Sequence, residues 1–108
     1  MNKNTEYNYS IKQAESFKRE LRNIYEYICY EMKEPNVAIK LINLITEKIN
    51  IIKQYPLAFE ILFKRENLEY RKFIVKNYVI IYRVNLENRE VYILHIYNQR
   101  KNKRKLFQ

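Results

Sequence analysis

The sequence of 108 residues contains no glycine, no tryptophan, two prolines and a single cysteine and histidine, Cys29 and His95. Phosphate-binding and dinucleotide loops depend on glycine, so neither type is expected. One cysteine and one histidine do not make a metal site or a serine-type triad, and a lone cysteine cannot form an internal disulfide. We therefore expect no metal, no cofactor and a reducing compartment, the cytoplasm.

Long apolar runs are also missing. No stretch approaches the roughly 20 residues that span a bilayer, and the first residues, MNKNTEYNYS, lack the apolar core of a secretion signal. Hydrophobic residues nevertheless make up 47% of the chain, which argues against disorder. A chain of this length suits one domain, residues 1–108, able to bury its own core without membrane contact.

Positive charge is abundant. Lysine and arginine total 21 against 12 acidic residues, a formal net charge of +9. Nucleic acid, an acidic protein or an anionic surface are all possible partners. Because a compositional bias alone could enrich lysine, the positions of the cations matter more than their number. They cluster at two places: Arg71, Lys72 and Lys76, and then Arg100, Lys101, Lys103, Arg104 and Lys105.

The segment from residue 69 to 105 predicts three strands followed by a basic tail. Residues 70–75 form the first strand, and Lys76-Asn77 makes a tight turn because asparagine tolerates positive φ. Residues 78–85 are apolar on both faces, which is typical of a central strand. A polar turn leads to the third strand, residues 91–97.

Two amphipathic helices precede these strands. Residues 7–11 predict a short strand, and Ser10 with Gln13 has the form of a capping box, so a helix is expected to begin there. Pro35 and Pro56 bound the second helix. Apolar residues at helical spacing form two stripes: Phe17, Leu21, Ile24, Tyr25, Ile28 and Met32, and then Ala38, Leu41, Ile42, Ile45, Ile49 and Ile52.

The predicted order is β-α-α-β-β-β, an α+β domain in which a helical hairpin packs on one face of a mainly antiparallel sheet. Residues 57–66 fit no clear pattern, and we expect a loop packed over the edge of the core. The other face of the sheet is left free. Tyrosines interleave with the cations near it, a combination that can bind single-stranded RNA. The residues alone slightly favour the simpler explanation, core tyrosines and a solvated basic tail.

The order of these segments resembles the RelE/ParE superfamily, the toxins of bacterial type II toxin–antitoxin systems. The matching pieces are Tyr70-Arg71, Val75, residues 77–84, Val91 and residues 93–101. The resemblance implies this fold, growth arrest, neutralisation by a cognate antitoxin and a toxin–antitoxin hetero-oligomer.

Two mechanisms occur in this superfamily. RelE-like members are endoribonucleases that cleave ribosome-bound mRNA, whereas ParE-like members poison DNA gyrase without catalytic residues. The resemblance implies Arg71, His95, Tyr97 and Arg100 as the catalytic candidates of a nuclease. Val79, however, stands where the nuclease branch places an arginine, and valine cannot stabilise an anion.

Residues 93–101 resemble a ParE-type ending, and further departures weaken any assigned catalysis. His95 stands where arginine is common, Asn98 where histidine is common, and Leu106-Phe107 where the nuclease has a late tyrosine. The alternatives are a RelE-like mRNA interferase and, outside the toxins, a basic nucleic-acid-binding module. The expected target-binding residues, whether the target is gyrase or the ribosome and its mRNA, are Arg71, Lys76, Arg100, Lys101 and Arg104.

Overall fold

A computed structural model of the chain describes residues 9–100. Its helices and strands follow in the order β1 (Ser10–Gln13), α1 (Glu15–Glu26), α2 (Pro35–Gln54), β2 (Glu60–Arg65), β3 (Leu68–Val75), β4 (Tyr78–Asn85) and β5 (Glu90–Asn98). A π-helical turn, Tyr27–Glu31, extends α1. No helix within the described part of the chain is long and apolar enough to cross a membrane.

The strands form one sheet in the order β1-β5-β4-β3-β2. Only β1 runs parallel to its neighbour, β5, and all other pairs are antiparallel. Both helices cover the same face of this sheet. The predicted α+β architecture, a helical hairpin on a mainly antiparallel sheet, is therefore confirmed.

The core lies between the helices and the covered face. The buried side chains of the helices are Phe17, Ile28, Ala38, Leu41, Ile45, Ile49 and Ile52. Those of the sheet are Val75, Ile80, Tyr82, Val84, Val91, Ile93 and Ile96. The predicted stripe on α2 is thus buried except for Ile42, which is only half-buried, and Met32 of the first stripe is exposed.

Strand β2 replaces the loop that was expected between α2 and the first predicted strand. It pairs antiparallel with β3 at the edge of the sheet, with an irregularity between Ile61 and Phe63. All six of its side chains are exposed. Because no face of β2 is buried, its sequence lacks the apolar–polar alternation by which a half-buried strand is recognised.

The predicted capping box is wrong. Ser10 and Gln13 lie in β1, which pairs with the start of β5, and the residue that precedes α1 is Ala14, which makes no side-chain cap. The hydroxyl of Ser16 donates instead to the carbonyl of Leu94, at 2.7 Å. Strand pairing satisfies the backbone here, so the local hydrogen bonds that a cap offers are not needed.

Between residues 9 and 100, four residues other than glycine adopt positive φ: Lys33, Glu66, Lys76 and Arg89, at 55–57°. Three of them lie in the tight connections between β2, β3, β4 and β5. The turn at Lys76-Asn77 is confirmed, but the positive φ falls on Lys76 rather than Asn77. Residues with a Cβ occupy this region at a cost of about 1–2 kcal/mol each, so the strand pairs on either side must hold the turns.

Ile45 tests the packing of the helices on the sheet. Its side chain is 1% exposed, so Ile45→Ala is expected to lower the free energy of unfolding by about 2–5 kcal/mol. Ile39→Ala is the matched control, since Ile39 lies on the same helix and is 48% exposed; it should cost no more than about 0.5 kcal/mol. Urea denaturation measures both, and equal losses would contradict this assignment of the core.

Candidate functional site

The register of the sheet separates the predicted site residues onto two faces. Arg71 pairs with the buried Tyr82, so its side chain lies on the covered face. His95 pairs with Ile81, the neighbour of Tyr82, and therefore lies on the uncovered face. Tyr97 lies on the same uncovered face, two residues further along β5.

Arg71 is enclosed by its own chain. Its side chain is 7% exposed, and Nε donates to Glu69 Oε1 at 3.0 Å while Nη2 forms an ion pair with the same carboxylate. Nη1 donates to the carbonyls of Leu57, at 3.1 Å, and Phe59. Arg71 therefore fastens β3 to the segment that joins α2 to β2.

Tyr82 makes a second tie to the same segment. Its hydroxyl donates to the carbonyl of Pro56 at 2.8 Å. Burial raises the pKa of Tyr82 well above its ordinary value, with a smaller opposing effect from Arg71. The hydroxyl consequently stays a neutral donor, and it has no role that requires access from solvent.

His95 is held at the edge of the sheet by α1. Its Nδ1 lies 3.0 Å from Glu20 Oε2, and Glu20 Oε1 accepts the N–H of Ile96 at 3.0 Å. β1 pairs with β5 only up to Ile93, so the carboxylate satisfies a backbone donor that this edge would otherwise leave free. The imidazole remains half exposed on the uncovered face.

Two of the remaining predicted cations lie near one end of the sheet. Lys76 is exposed in the turn before β4, and Arg100 is exposed just beyond β5. The N–H of Gln99 donates to the carbonyl of Asn77 at 2.7 Å, which keeps the two cations at the same end. Lys101 and Arg104 lie outside the described residues.

The four nuclease candidates do not converge. His95, Tyr97 and Arg100 follow one another along β5 and its end, while Arg71 lies on the opposite face within an ion pair. Among residues 9–100, no group of three or more histidine, cysteine, aspartate or glutamate side chains could hold a metal ion. No common point exists from which all four candidates could reach one phosphate.

An apolar groove is the feature that the sequence did not reveal. It has a volume of about 1480 Å³ and runs between α1, its π-helical turn, α2 and the ends of β4 and β5. Exposed apolar side chains in its wall include Tyr27, Met32 and Val37, each 45–47% exposed. The sequence pattern gives little indication of this groove, because Met32 belongs to a stripe predicted to be buried and Val37 lies outside both stripes.

Charged groups also border this groove. Lys40 and Lys76 contribute cations, and Glu20 and Glu47 contribute carboxylates. Tyr78 lies at the sheet end, where burial raises its pKa. The groove can thus accept a segment with large apolar side chains and flanking charges of either sign.

The helical hairpin on a sheet in the order β1-β5-β4-β3-β2, with one face of the sheet uncovered, agrees with the RelE/ParE fold that the resemblance implies. The chain matches the family described as "ParE toxin of type II toxin-antitoxin system, parDE" over residues 11–103. It therefore belongs to the ParE toxin family. No curated protein matches it.

Solved structures show the same fold at low sequence identity. The chromosomal ParDE toxin–antitoxin system from P. aeruginosa shares 19% identity with a TM-score of 0.70, over 85% of this chain and 97% of that chain. The archaeal RelE–RelB complex from Pyrococcus horikoshii shares 18% with a TM-score of 0.64, over 84% and 94%. RelBE2 from Mycobacterium tuberculosis shares 16% with a TM-score of 0.53, over 83% and 90%.

The burial of Arg71 yields a stability prediction. Arg71→Met removes the close ion pair of the buried Glu69 carboxylate and leaves it only the exposed Lys64, at 3.8 Å, so the free energy of unfolding should fall by about 3–5 kcal/mol. Arg22→Met, an exposed position on α1, should change it by no more than about 0.5 kcal/mol. Thermal and urea unfolding compare the two. An Arg71→Met variant as stable as the parent but without toxicity would restore Arg71 as a site residue.

Proposed function

We propose that this protein is a ParE-like toxin that arrests bacterial growth by poisoning DNA gyrase in the cytoplasm, and that a cognate antitoxin neutralises it. The observation that carries the proposal is the separation of the nuclease candidates across the sheet. Membership of the ParE family supports it from the sequence.

The chemistry of RNA cleavage explains why this separation matters. A cation must stand where negative charge develops on the phosphate, and a base or acid must lie within hydrogen-bond reach of the reacting oxygen. Arg71 is committed to Glu69 inside the fold, and Val79, which pairs with Tyr97 on the other face, offers no charge. Toxicity by surface contact with a protein needs neither arrangement.

If the protein poisons gyrase, growth arrest should depend on the residues that contact gyrase. Lys76 and Arg100 are exposed at one end of the sheet and are the described members of the proposed contact set, to which the sequence prediction adds Lys101 and Arg104. His95 contacts Glu20, whose carboxylate binds the edge of β5, so we assign His95 a structural role and not a catalytic one. The two classes of mechanism therefore differ in which substitution abolishes growth arrest.

Brief induction in bacteria, with separate pulse-labelling of new DNA and new protein, tests the target. We expect DNA synthesis to fall first, with a DNA-damage response, and purified gyrase to accumulate cleaved DNA with the full chain present. Arg100→Ala should weaken arrest, while His95→Ala should retain it. A prompt collapse of protein synthesis with DNA synthesis continuing would contradict the proposal and indicate a RelE-like mRNA interferase.

The apolar groove is the surface that the antitoxin covers in this proposal. The solved relatives are toxin–antitoxin structures, and the chain's charge of +9 suits an acidic partner. Tyr27, Met32 and Val37 provide exposed apolar surface that a partner helix or extended segment would bury. Lys40 and Lys76 border the groove and can pair with acidic residues that flank the apolar side chains of the antitoxin.

A pair of substitutions on α2 tests this docking site. Val37→Glu places a charge in the groove, so antitoxin affinity should fall at least about tenfold because the carboxylate must be desolvated. Ile39→Glu introduces the same charge at an equally exposed apolar position of α2 outside the groove lining, and affinity should change less than about twofold. Calorimetric titration with the cognate antitoxin, whose gene we expect to lie next to the toxin gene, measures both. Equal effects would place the antitoxin elsewhere.

A further inference from the structure

One row of side chains crosses the entire uncovered face of the sheet. Strand pairing aligns Lys12 with Tyr92, Tyr92 with Arg83, Arg83 with Tyr70, and Tyr70 with Phe63. Each of the five strands contributes one member. Neighbouring strands lie about 4.8 Å apart, so the row extends roughly 19 Å. We refer to it as the cross-strand row.

Aromatic rings and a cation are in contact along this row. The guanidinium carbon of Arg83 lies 5.3 Å from the centroid of the Tyr92 ring. The rings of Phe63 and Tyr70 stack with centroids 4.4 Å apart and planes inclined by 12°. Such contacts hold the side chains in fixed positions, so little conformational entropy is lost when they bind a ligand.

The row ends in an accessible ring. Phe63 is 52% exposed, and one of its faces is stacked on Tyr70. β2 is the edge strand, so no further strand of the sheet covers the other face. An aromatic side chain of this size, exposed beside a second ring on a flat surface, offers a stacking platform.

Charge along the row is positive. No carboxylate of residues 9–100 lies within ion-pair distance of Arg83. Lys12 contacts Glu90 at 3.0 Å and Lys72, beside the row, contacts Glu60 at 3.8 Å. One side chain of each pair is at least 60% exposed, so these pairs contribute little free energy that a phosphate would have to replace.

We propose that the cross-strand row binds single-stranded nucleic acid. Its cations suit phosphates, and its rings suit the exposed faces of unpaired bases. A duplex hides those faces within its own stack. An acidic protein segment could pair with the cations, but its carboxylates would not stack on the rings of Tyr92, Tyr70 and Phe63. The row is separate from the groove and from the Lys76 and Arg100 end, so this inference goes beyond the proposed function and does not depend on gyrase.

Fluorescence anisotropy with the purified full chain tests the row. The probes are oligothymidylate and oligouridylate about twelve nucleotides long, a length within the range of single-strand sites. Both should bind, with affinity falling as salt rises. An abasic strand with the same number of phosphates should bind at least about fivefold more weakly, because stacking on the rings is lost. A preference between the two oligonucleotides identifies DNA or RNA as the source.

Matched variants locate the binding on the sheet. Arg83→Gln and Phe63→Leu should each weaken oligonucleotide binding at least about fivefold, whereas Arg22→Gln, which removes the same charge from α1, should weaken it less than about twofold. Phe63 is exposed, so Phe63→Leu remains informative even if Arg83→Gln is unstable by circular dichroism.

Three outcomes would overturn the inference. The abasic strand binding as tightly as the intact ones would remove the role of the rings. Equal losses from Arg22→Gln and Arg83→Gln would indicate diffuse attraction by the net charge. Polyglutamate binding more tightly than either oligonucleotide at the same salt concentration would point to an acidic protein instead.

Discussion

The pairing register between β3 and β4 is the constraint on which the functional surfaces depend. Side chains alternate between the two faces of a strand, so a shift of one residue would exchange everything that β3 buries with everything it exposes. In the observed register Glu69 and Arg71 face the helices, while Tyr70 and Lys72 face outwards. The buried ion pair and its ties to Leu57 and Phe59 are compatible with this register alone.

The same register gives the protein two surfaces of different chemistry. On the helix side, packing leaves an apolar groove beside the π-helical turn, with large side chains at its wall. On the uncovered side, cations and aromatic rings lie in line across the strands. One surface suits a partner that buries apolar anchors, and the other suits a polyanion. The edges of the sheet differ as well, because Glu20 satisfies part of the β5 edge while β2 remains open.

Periodicity predicted the parts of the fold that bury a regular face. The α2 stripe and the central strand β4 were recognised because burial repeats at the helical and strand periods. β2 does not show this repeat because it buries neither face. The capping box predicted at Ser10 is wrong because this residue pairs with a strand residue some 80 positions away, and that pairing replaces the local cap. Ile42 shows a smaller error of the same kind, since the angular width of the buried face depends on the neighbours that cover it.

The candidate site shows where reasoning along the sequence ends. The sequence by itself determined the fold class, the amphipathic helices, the central strand and the cationic character, because these depend on residue type and spacing. Only the tertiary structure decided that Arg71 is buried in an ion pair, that the groove exists, and that Lys12, Tyr92, Arg83, Tyr70 and Phe63 share one row. Each of these depends on which residues of distant strands become neighbours, and strand register arises from the simultaneous packing of the whole sheet against its helices.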